Sequence, residues 1–253
     1  YLFIVLGLPL LFPAYSEIAM DVDENAIVSA NLPLATLGDI AVRLPGATAI
    51  FRELNLDYCC GGQVTLEAAA SSAGIDLDEI IARLLELESA DAPPSESAAL
   101  DTSSLIDLIV TRYHRVHSQE LPELIRLAER VEEVHRGHIS VPIGLALLLR
   151  TMLGELTVHM QKEELILFPH MRQGVTEGIG QPIAVMMSEH VAHGAQIEKL
   201  KAMTGNFQTP DDGCATWRAL YAGLAKFEGD LIEHIHTENN ILFPRFMSGD
   251  AGP

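Results

Sequence analysis

Along most of this chain apolar residues return every three or four positions, the interval at which they share one face of an α-helix. Ile80, Ile81, Leu84 and Leu85 form one such stripe, and Leu145, Leu148, Leu149, Met152 and Leu156 form another that continues through His159 to Phe168. Polar and imino residues punctuate the stripes. Asp101, or the Thr and Ser after it, caps a first long segment that runs past His114 towards Val134, with Pro122 predicted to kink it or break it in two. Pro142 sits at the start of a second segment, and Pro182 opens a third after Gly178-Ile-Gly-Gln. Asp211-Asp212 begins a fourth that ends at Phe243-Pro244. Long helices on short loops predict an all-α, up-down four-helix bundle, and no segment reads as a strand.

Upstream, a smaller helical unit is expected over residues 31–88. Thr36 or Asp39 opens a helix to Val42, Gly46 to Asn55 makes another, and Asp57-Tyr-Cys-Cys-Gly-Gly62 is a turn. Thr65 to Ala70 and Asp76 to Leu87 complete it. Residues 89–100 (SADAPPSESAAL) are small, polar and proline-containing and predict a linker. The expected layout is an extension over 1–30, the small unit over 31–88, the linker over 89–100 and the bundle over 101–248.

Composition agrees with helices: 48% of the 253 residues are hydrophobic, only 6% are aromatic, and the long segments are rich in Leu, Ala, Glu and Ile. The net charge of −19 argues against nucleic acid as a partner and reads mostly as a solvated acidic surface. The three cysteines, two of them adjacent (Cys59, Cys60) and one distant (Cys214), do not make a disulfide framework, so a reducing compartment is the simpler inference. The apolar run from Tyr1 to Tyr15 is short for a membrane span and lacks the basic start of an export signal; translation is expected to begin at Met20.

The chemistry lies in a repeated pattern. His159-Met-Gln-Lys-Glu163-Glu-Leu-Ile-Leu-Phe-Pro169 and His234-Ile-His-Thr-Glu238-Asn-Asn-Ile-Leu-Phe-Pro244 share His-x-x-x-Glu followed by an apolar tail, each ending its helix at a proline. Four residues apart, the imidazole and carboxylate share a helix face, so each copy reads as half of a dinuclear metal site inside the bundle. A buried unpaired carboxylate would be costly there, and a metal would satisfy it. With His114 and His190 from the other two helices, the candidate ligands are His114, His159, Glu163, His190, His234 and Glu238. His and carboxylate without thiolate suit iron or manganese, with zinc as an alternative. Counting an oxygen bridge, these groups supply about ten donors where two octahedral ions take about twelve, leaving open positions for a small molecule. Ferritin-like bundles use Glu-x-x-His, whereas His-x-x-x-Glu belongs to the hemerythrin-like class.

These motifs, with Asp57-Tyr-Cys-Cys-Gly-Gly62 ahead of Arg112-Tyr-His114, Ser188-Glu-His190 and His234-x-x-x-Glu238-Asn-Asn, resemble the Repair of Iron Centres family from about Leu34 to Phe246. The resemblance implies an iron–sulfur cluster repair protein of the nitric-oxide stress response, with a cytoplasmic role and a non-haem di-iron centre that is oxo- and carboxylate-bridged. It implies the six ligands above, and His114 and His190, which have no repeat behind them, rest on it. Expected partners are damaged iron–sulfur cluster proteins, with nitric oxide or oxygen as small ligand and no membrane. Iron donation and nitric-oxide chemistry both stay open, as do turnover and the oligomeric state, a homodimer included. Two other readings stand beside this one: a hemerythrin-like oxygen or nitric-oxide carrier or sensor, and an interaction module whose metal only staples the bundle.

Other residues carry weaker expectations. Glu155, one turn before His159, lines a path to the metals or forms a surface ion pair; Glu189 gates access. Cys59 and Cys60, resting as thiols on an exposed turn, serve redox exchange, iron hand-off or docking to a client. His117 and His193 are expected to support the ligands from behind or to lie at the surface, with some claim to replace His114 and His190. His236 is expected to be exposed, His135, His138 and His170 solvated, and Cys214 incidental.

Overall fold

The computed structural model describes residues 29–88 and 96–247. The apolar N-terminal run, most of the expected linker and the last residues lie outside that range. Among the described residues there is no strand, only an isolated bridge between Thr36 and Thr65. No described helix is long and apolar enough to cross a membrane.

The small unit opens with a 3₁₀ turn, Ser29–Leu34, that the apolar pattern does not mark, and continues through α1 (Leu37–Arg43), α2 (Ala47–Glu53), α3 (Leu66–Ala73) and α4 (Leu77–Glu88). Thr36 and Thr65 are the N-caps of α1 and α3, each hydroxyl accepting from the backbone N–H three residues on. A core of Leu37, Ile40, Phe51, Tyr58, Leu66, Ile80 and Leu84 holds these helices together. Within the expected linker, α5 (Glu96–Ala99) is a short helix.

The first long rod is composite: α6 (Thr102–Leu108), a π-helical turn Ile109–His114, then α7 (Arg115–Val134). Asp101 caps it, accepting from the Ser104 N–H. Pro122 does not break α7, because buried Leu121, Leu124 and Ile125 pack the surrounding turns into the bundle core. The next helix, α8 (Leu145–Lys162), starts at Gly144, whose φ of 89° is readily adopted only by glycine, rather than at Pro142. It passes through a π turn, Glu163–Leu167, into α9 (Phe168–Arg172). The repeat therefore does not stop at Pro169: the π turn delivers that proline into the first turn of α9, where its missing N–H is no loss. The third helix, α10 (Gly180–Thr204), carries Pro182 in its first turn. The fourth, α11 (Ala215–His236), is capped by Cys214 rather than by the aspartates, and a π turn Thr237–Leu242 leads to α12 (Pro244–Met247).

Helix α7 packs on α8 and α11, and α10 packs on α8 and α11, which closes the up-down square. The interior is layered. One apolar layer holds Leu121, Leu149, Met152, Leu156, Ile197, Trp217, Leu224 and Ile235. A second, towards the other end, holds Ile109, Tyr113, Leu167, Phe168, Ile183, Met186, Leu242 and Phe243. Along each of the four rods the candidate ligands fall near the boundary of these two layers.

Candidate metal centre

The six candidate ligands meet in that middle layer. His114, Glu163, His234 and Glu238 form one group, and His159, Glu163, His190 and Glu238 form another; within each, the ligand atoms lie within 4.8 Å of one another. All six side chains are buried, none more than 2% exposed. The two carboxylates belong to both groups. Glu163 turns Oε1 to His159 Nε2 at 3.4 Å and Oε2 to His114 Nε2 at 3.5 Å. Glu238 turns Oε1 to His234 Nε2 and Oε2 to His190 Nε2, both at 3.1 Å. Each imidazole pair faces nitrogen to nitrogen, His114 to His234 at 3.1 Å and His159 to His190 at 3.0 Å.

Three of the four rods widen into a π turn at this level, and each turn contains a candidate ligand: His114, Glu163 or Glu238. A π turn inserts one residue into the helical register, which re-aims side chains towards the axis. In the Arg-Tyr-His motif each residue has a separate task. Arg112 pairs with Asp230 of α11 at 2.7 Å, and Tyr113 stacks on the His234 ring with planes 12° apart. His114 reaches the centre.

The far nitrogens of the rings fix their orientation. His114 Nδ1 meets Glu164 Oε1 at 2.8 Å, His159 Nδ1 meets Glu189 Oε2 at 2.9 Å, and His190 Nδ1 meets Asn239 Oδ1 at 2.8 Å. An Nδ1–H held by an oxygen leaves Nε2 with its lone pair pointing inward, the arrangement that metal-bound histidines use. The pattern of polar residues points to Glu189 as a functional residue but not to this partner, and does not mark Glu164 or Asn239. For Asn239 the signals are its place in the Glu238-Asn-Asn motif and an Asn-Asn pair inside a helical stripe, where Asn is a poor helix former.

Polar groups in the cage are incompletely satisfied. Among the described residues, neither oxygen of Glu163 has a hydrogen-bond partner in good geometry, and Glu238 Oε2 and His234 Nδ1 also lack one. Burial, with repulsion from Glu238, pushes the Glu163 carboxyl well above its ordinary range. Burial opposes ionisation of Glu238 too, but the imidazoles of His234, His114 and His190 that face it hold it well below. Burial pushes His159 down to about 3, so its ring stays neutral at pH 7. Four imidazoles around two shared carboxylates, with orphaned oxygens aimed between them, are a donor set that fits two cations and is costly without them.

The remaining predicted residues sort around this core. His117 and His193 are buried but fall outside both groups. His117 has no partner on either nitrogen and is pushed down to about 2 by burial, while His193 Nδ1 faces Gln196 Oε1 at 3.3 Å. Glu155 and Glu189 line one cavity of about 390 Å³ with Lys162 and His193. Glu155 accepts from Gln196 and Glu189 pairs with Lys162. His236 is not exposed: the small unit covers it, and its ring meets the edge of Tyr58 at 5.3 Å. His135 and His138 are not simply solvated either, since they flank Trp217 and face Cys214 and Asp212 respectively. His170 is exposed.

The small unit joins the centre through its turn. Asn239 Nδ2 donates to the Cys59 carbonyl at 2.9 Å and Asn240 Nδ2 to the Tyr58 carbonyl at 3.0 Å, so adjacent asparagines of the π turn clamp the Tyr-Cys-Cys segment. Cys60 Sγ lies 3.4 Å from the His190 carbonyl. Cys59 is buried against the bundle core rather than exposed on its turn, and hydrogen bonding with Cys60 together with burial pushes its thiol far up. All three cysteines are free thiols.

Two stretches of the chain match known families. Residues 105–246 match the family model described as the hemerythrin HHE cation binding domain, and residues 34–88 match a domain of unknown function, DUF542. The chain is 48% identical over 218 residues to the iron-sulfur cluster repair protein YtfE of Musicola paradisiaca, covering 85% of this chain and 97% of that one. It is 45% identical over 215 residues to the protein of the same name from Dickeya chrysanthemi, covering 85% and 97%. It is 44% identical over 214 residues to a probable iron-sulfur cluster repair protein of Haemophilus influenzae, covering 84% and 96%.

Proposed function

This chain belongs to the iron-sulfur cluster repair family, and from that premise we propose that it repairs iron–sulfur clusters damaged by nitrosative or oxidative stress, using a di-iron centre in its bundle. The observation that carries the reading is the pair of His₂ groups sharing Glu163 and Glu238, whose orphaned oxygens point between them. His114 and His234 would hold one iron, His159 and His190 the other, with the two glutamates bridging. When bound there, the iron supplies open positions for nitric oxide or oxygen and metal that can be given to a client.

The protein's own groups do the rest. Glu164, Glu189 and Asn239 keep three rings in the tautomer that presents Nε2. Glu189 also pairs with Lys162 at the mouth of the cavity that Glu155 lines, so it both orients His159 and stands at a point of entry. The two apolar layers above and below exclude water from the cage. Cys60 lies half-exposed in an open cavity beside the clamped turn, where a client can reach it, with Cys59 buried behind it. Their free thiols suit the reducing cytoplasm. Two histidines on each side of the cage do not match a carrier that gathers extra histidines on one iron.

The test is metal content and optical spectrum of protein purified without added metal, before and after anaerobic nitric oxide, followed by reactivation of a nitric-oxide-damaged iron–sulfur enzyme. Two irons per chain, a spectral response to nitric oxide and recovered client activity are expected. Zinc alone, or iron indifferent to nitric oxide with no recovery, would overturn the reading.

A further inference from the structure

Asp57, Cys59 and Cys60 form a third cluster outside the bundle cage, with a carboxylate oxygen and both sulfurs within 4.8 Å of one another. The sulfurs are 3.6 Å apart, and Cys59 Sγ is 3.4 Å from Asp57 Oδ1. A tetrahedral cation with bonds of about 2.3 Å to sulfur and about 2.1 Å to oxygen would set its sulfurs about 3.8 Å apart and sulfur from oxygen about 3.6 Å apart. The observed spacings are within a few tenths of an ångström of these. A disulfide, by contrast, needs sulfurs about 2.05 Å apart and strains the ring that adjacent cysteines form.

The surroundings hold the three donors in place. Asp57 Oδ1 accepts the Cys60 backbone N–H at 2.9 Å, which folds the carboxylate back over the thiols. Asn239 grips the Cys59 carbonyl, and Cys60 Sγ rests on the His190 carbonyl. A side chain on Gly61 would come within 2.9 Å of the Asp57 carbonyl, so glycine lets the turn close this tightly. The cluster opens into a cavity of about 860 Å³ between the small unit and α10, whose walls include Val191, Gly194 and Ile197. A fourth coordination position is therefore accessible to water or to a donor from another protein.

We propose that Asp57, Cys59 and Cys60 form a second metal site, separate from the bundle centre, that binds one ferrous or zinc ion through two thiolates and a carboxylate. Binding exchanges the two thiol protons for the divalent cation, with both protons released to solvent and no change in oxidation state. Two thiolates select a borderline-soft cation over magnesium or calcium. The open fourth position makes the site exchangeable, and its tie to His190 through Cys60 and Asn239 places it beside the bundle centre. Its use as a way station for iron rests on the repair reading; its existence as a site does not.

The experiment uses the full-length, iron-loaded protein with Cys214→Ser, so that its only thiols are the pair, titrated anaerobically with cobalt(II). One equivalent should develop thiolate-to-cobalt charge-transfer absorption and protect the half-exposed Cys60 thiol from a disulfide reagent, with the iron content unchanged. Asp57→Asn should weaken binding at least about tenfold. Cys60→Ser, at a half-exposed position, should abolish the absorption while leaving iron content and melting temperature as they were. Cobalt bound without thiolate absorption, a Cys60 thiol still fully reactive at one equivalent, or an undiminished signal in Cys60→Ser would overturn the site. If cobalt binds as described and client reactivation fails, the repair reading falls and the site stands.

Discussion

At the scale of single residues, the histidines of this chain differ in what meets their second nitrogen. Glu164, Glu189 and Asn239 serve three of the rings in the cage, while His117 and the Nδ1 of His234 have no partner. Far from the cage, His135 Nε2 lies 3.1 Å from Cys214 Sγ. That contact, with the N–H groups of Trp217 and Thr216 at the start of α11, brings the thiol down to about 7. A lowered thiol is protonated and inert below that value and a thiolate above it. Alkylation of Cys214, followed by mass spectrometry across a pH series, should therefore rise through half-maximum near pH 7. His135→Phe should move the midpoint up towards the ordinary thiol value of about 8.5. A midpoint unmoved by that substitution would show that the imidazole does not activate the sulfur.

At the scale of elements, the π turns and the glycine turn decide where the chemistry sits. The three π turns place candidate ligands and let Pro169 and Pro244 follow without ending the fold. The turn after Cys60 is crowded from both sides: a Cβ on Gly62 would lie 2.7 Å from the Tyr58 carbonyl and 2.7 Å from Asn240 Oδ1. Since backbone cannot yield cheaply, Gly62→Ala should cost about 1–3 kcal/mol in urea unfolding. Gly154 makes the contrast. It is exposed within α8, and a Cβ at that position would meet nothing within 4 Å, so Gly154→Ala should stabilise by about 0.5–1 kcal/mol. Equal effects at the two positions would mean that the clamp of Asn239 and Asn240 does not confine the turn.

At the scale of the whole molecule, the bundle is two apolar layers separated by a layer of charge. Hydrophobic burial above and below stabilises the fold, and the middle layer opposes it until a cation satisfies Glu163 and Glu238. Chelation should consequently lower the melting temperature, and iron should restore it. With free metal at a hundredfold excess over Kd, the gain is about 2.7 kcal/mol for one site. Glu163→Gln mimics the protonated form that burial favours, so it should leave the metal-free protein at least as stable as the parent while removing most of the gain on adding iron. Metal-free Glu163→Gln protein that melts well below its metal-free parent would contradict the charged-layer account.

Much of this was legible in the order of residues, for reasons that are local. Helical periodicity marked the four rods and the small unit, side-chain oxygens at Thr36, Thr65 and Asp101 marked where helices start, and a repeat at four-residue spacing singled out His159, Glu163, His234 and Glu238. Each signal needs only neighbours within a turn or two. What only the tertiary structure decided depends on residues far apart in the chain. Glu189 orients His159, Asn239 links His190 to Cys59, the small unit buries His236, and packing carries α7 past Pro122. The π turns belong to the same class, because a widened helix is stable only where the neighbouring rods accept its re-aimed side chains. Spacing along the chain thus determined which residues face the interior, and the packing of one helix on another determined which atoms they meet there.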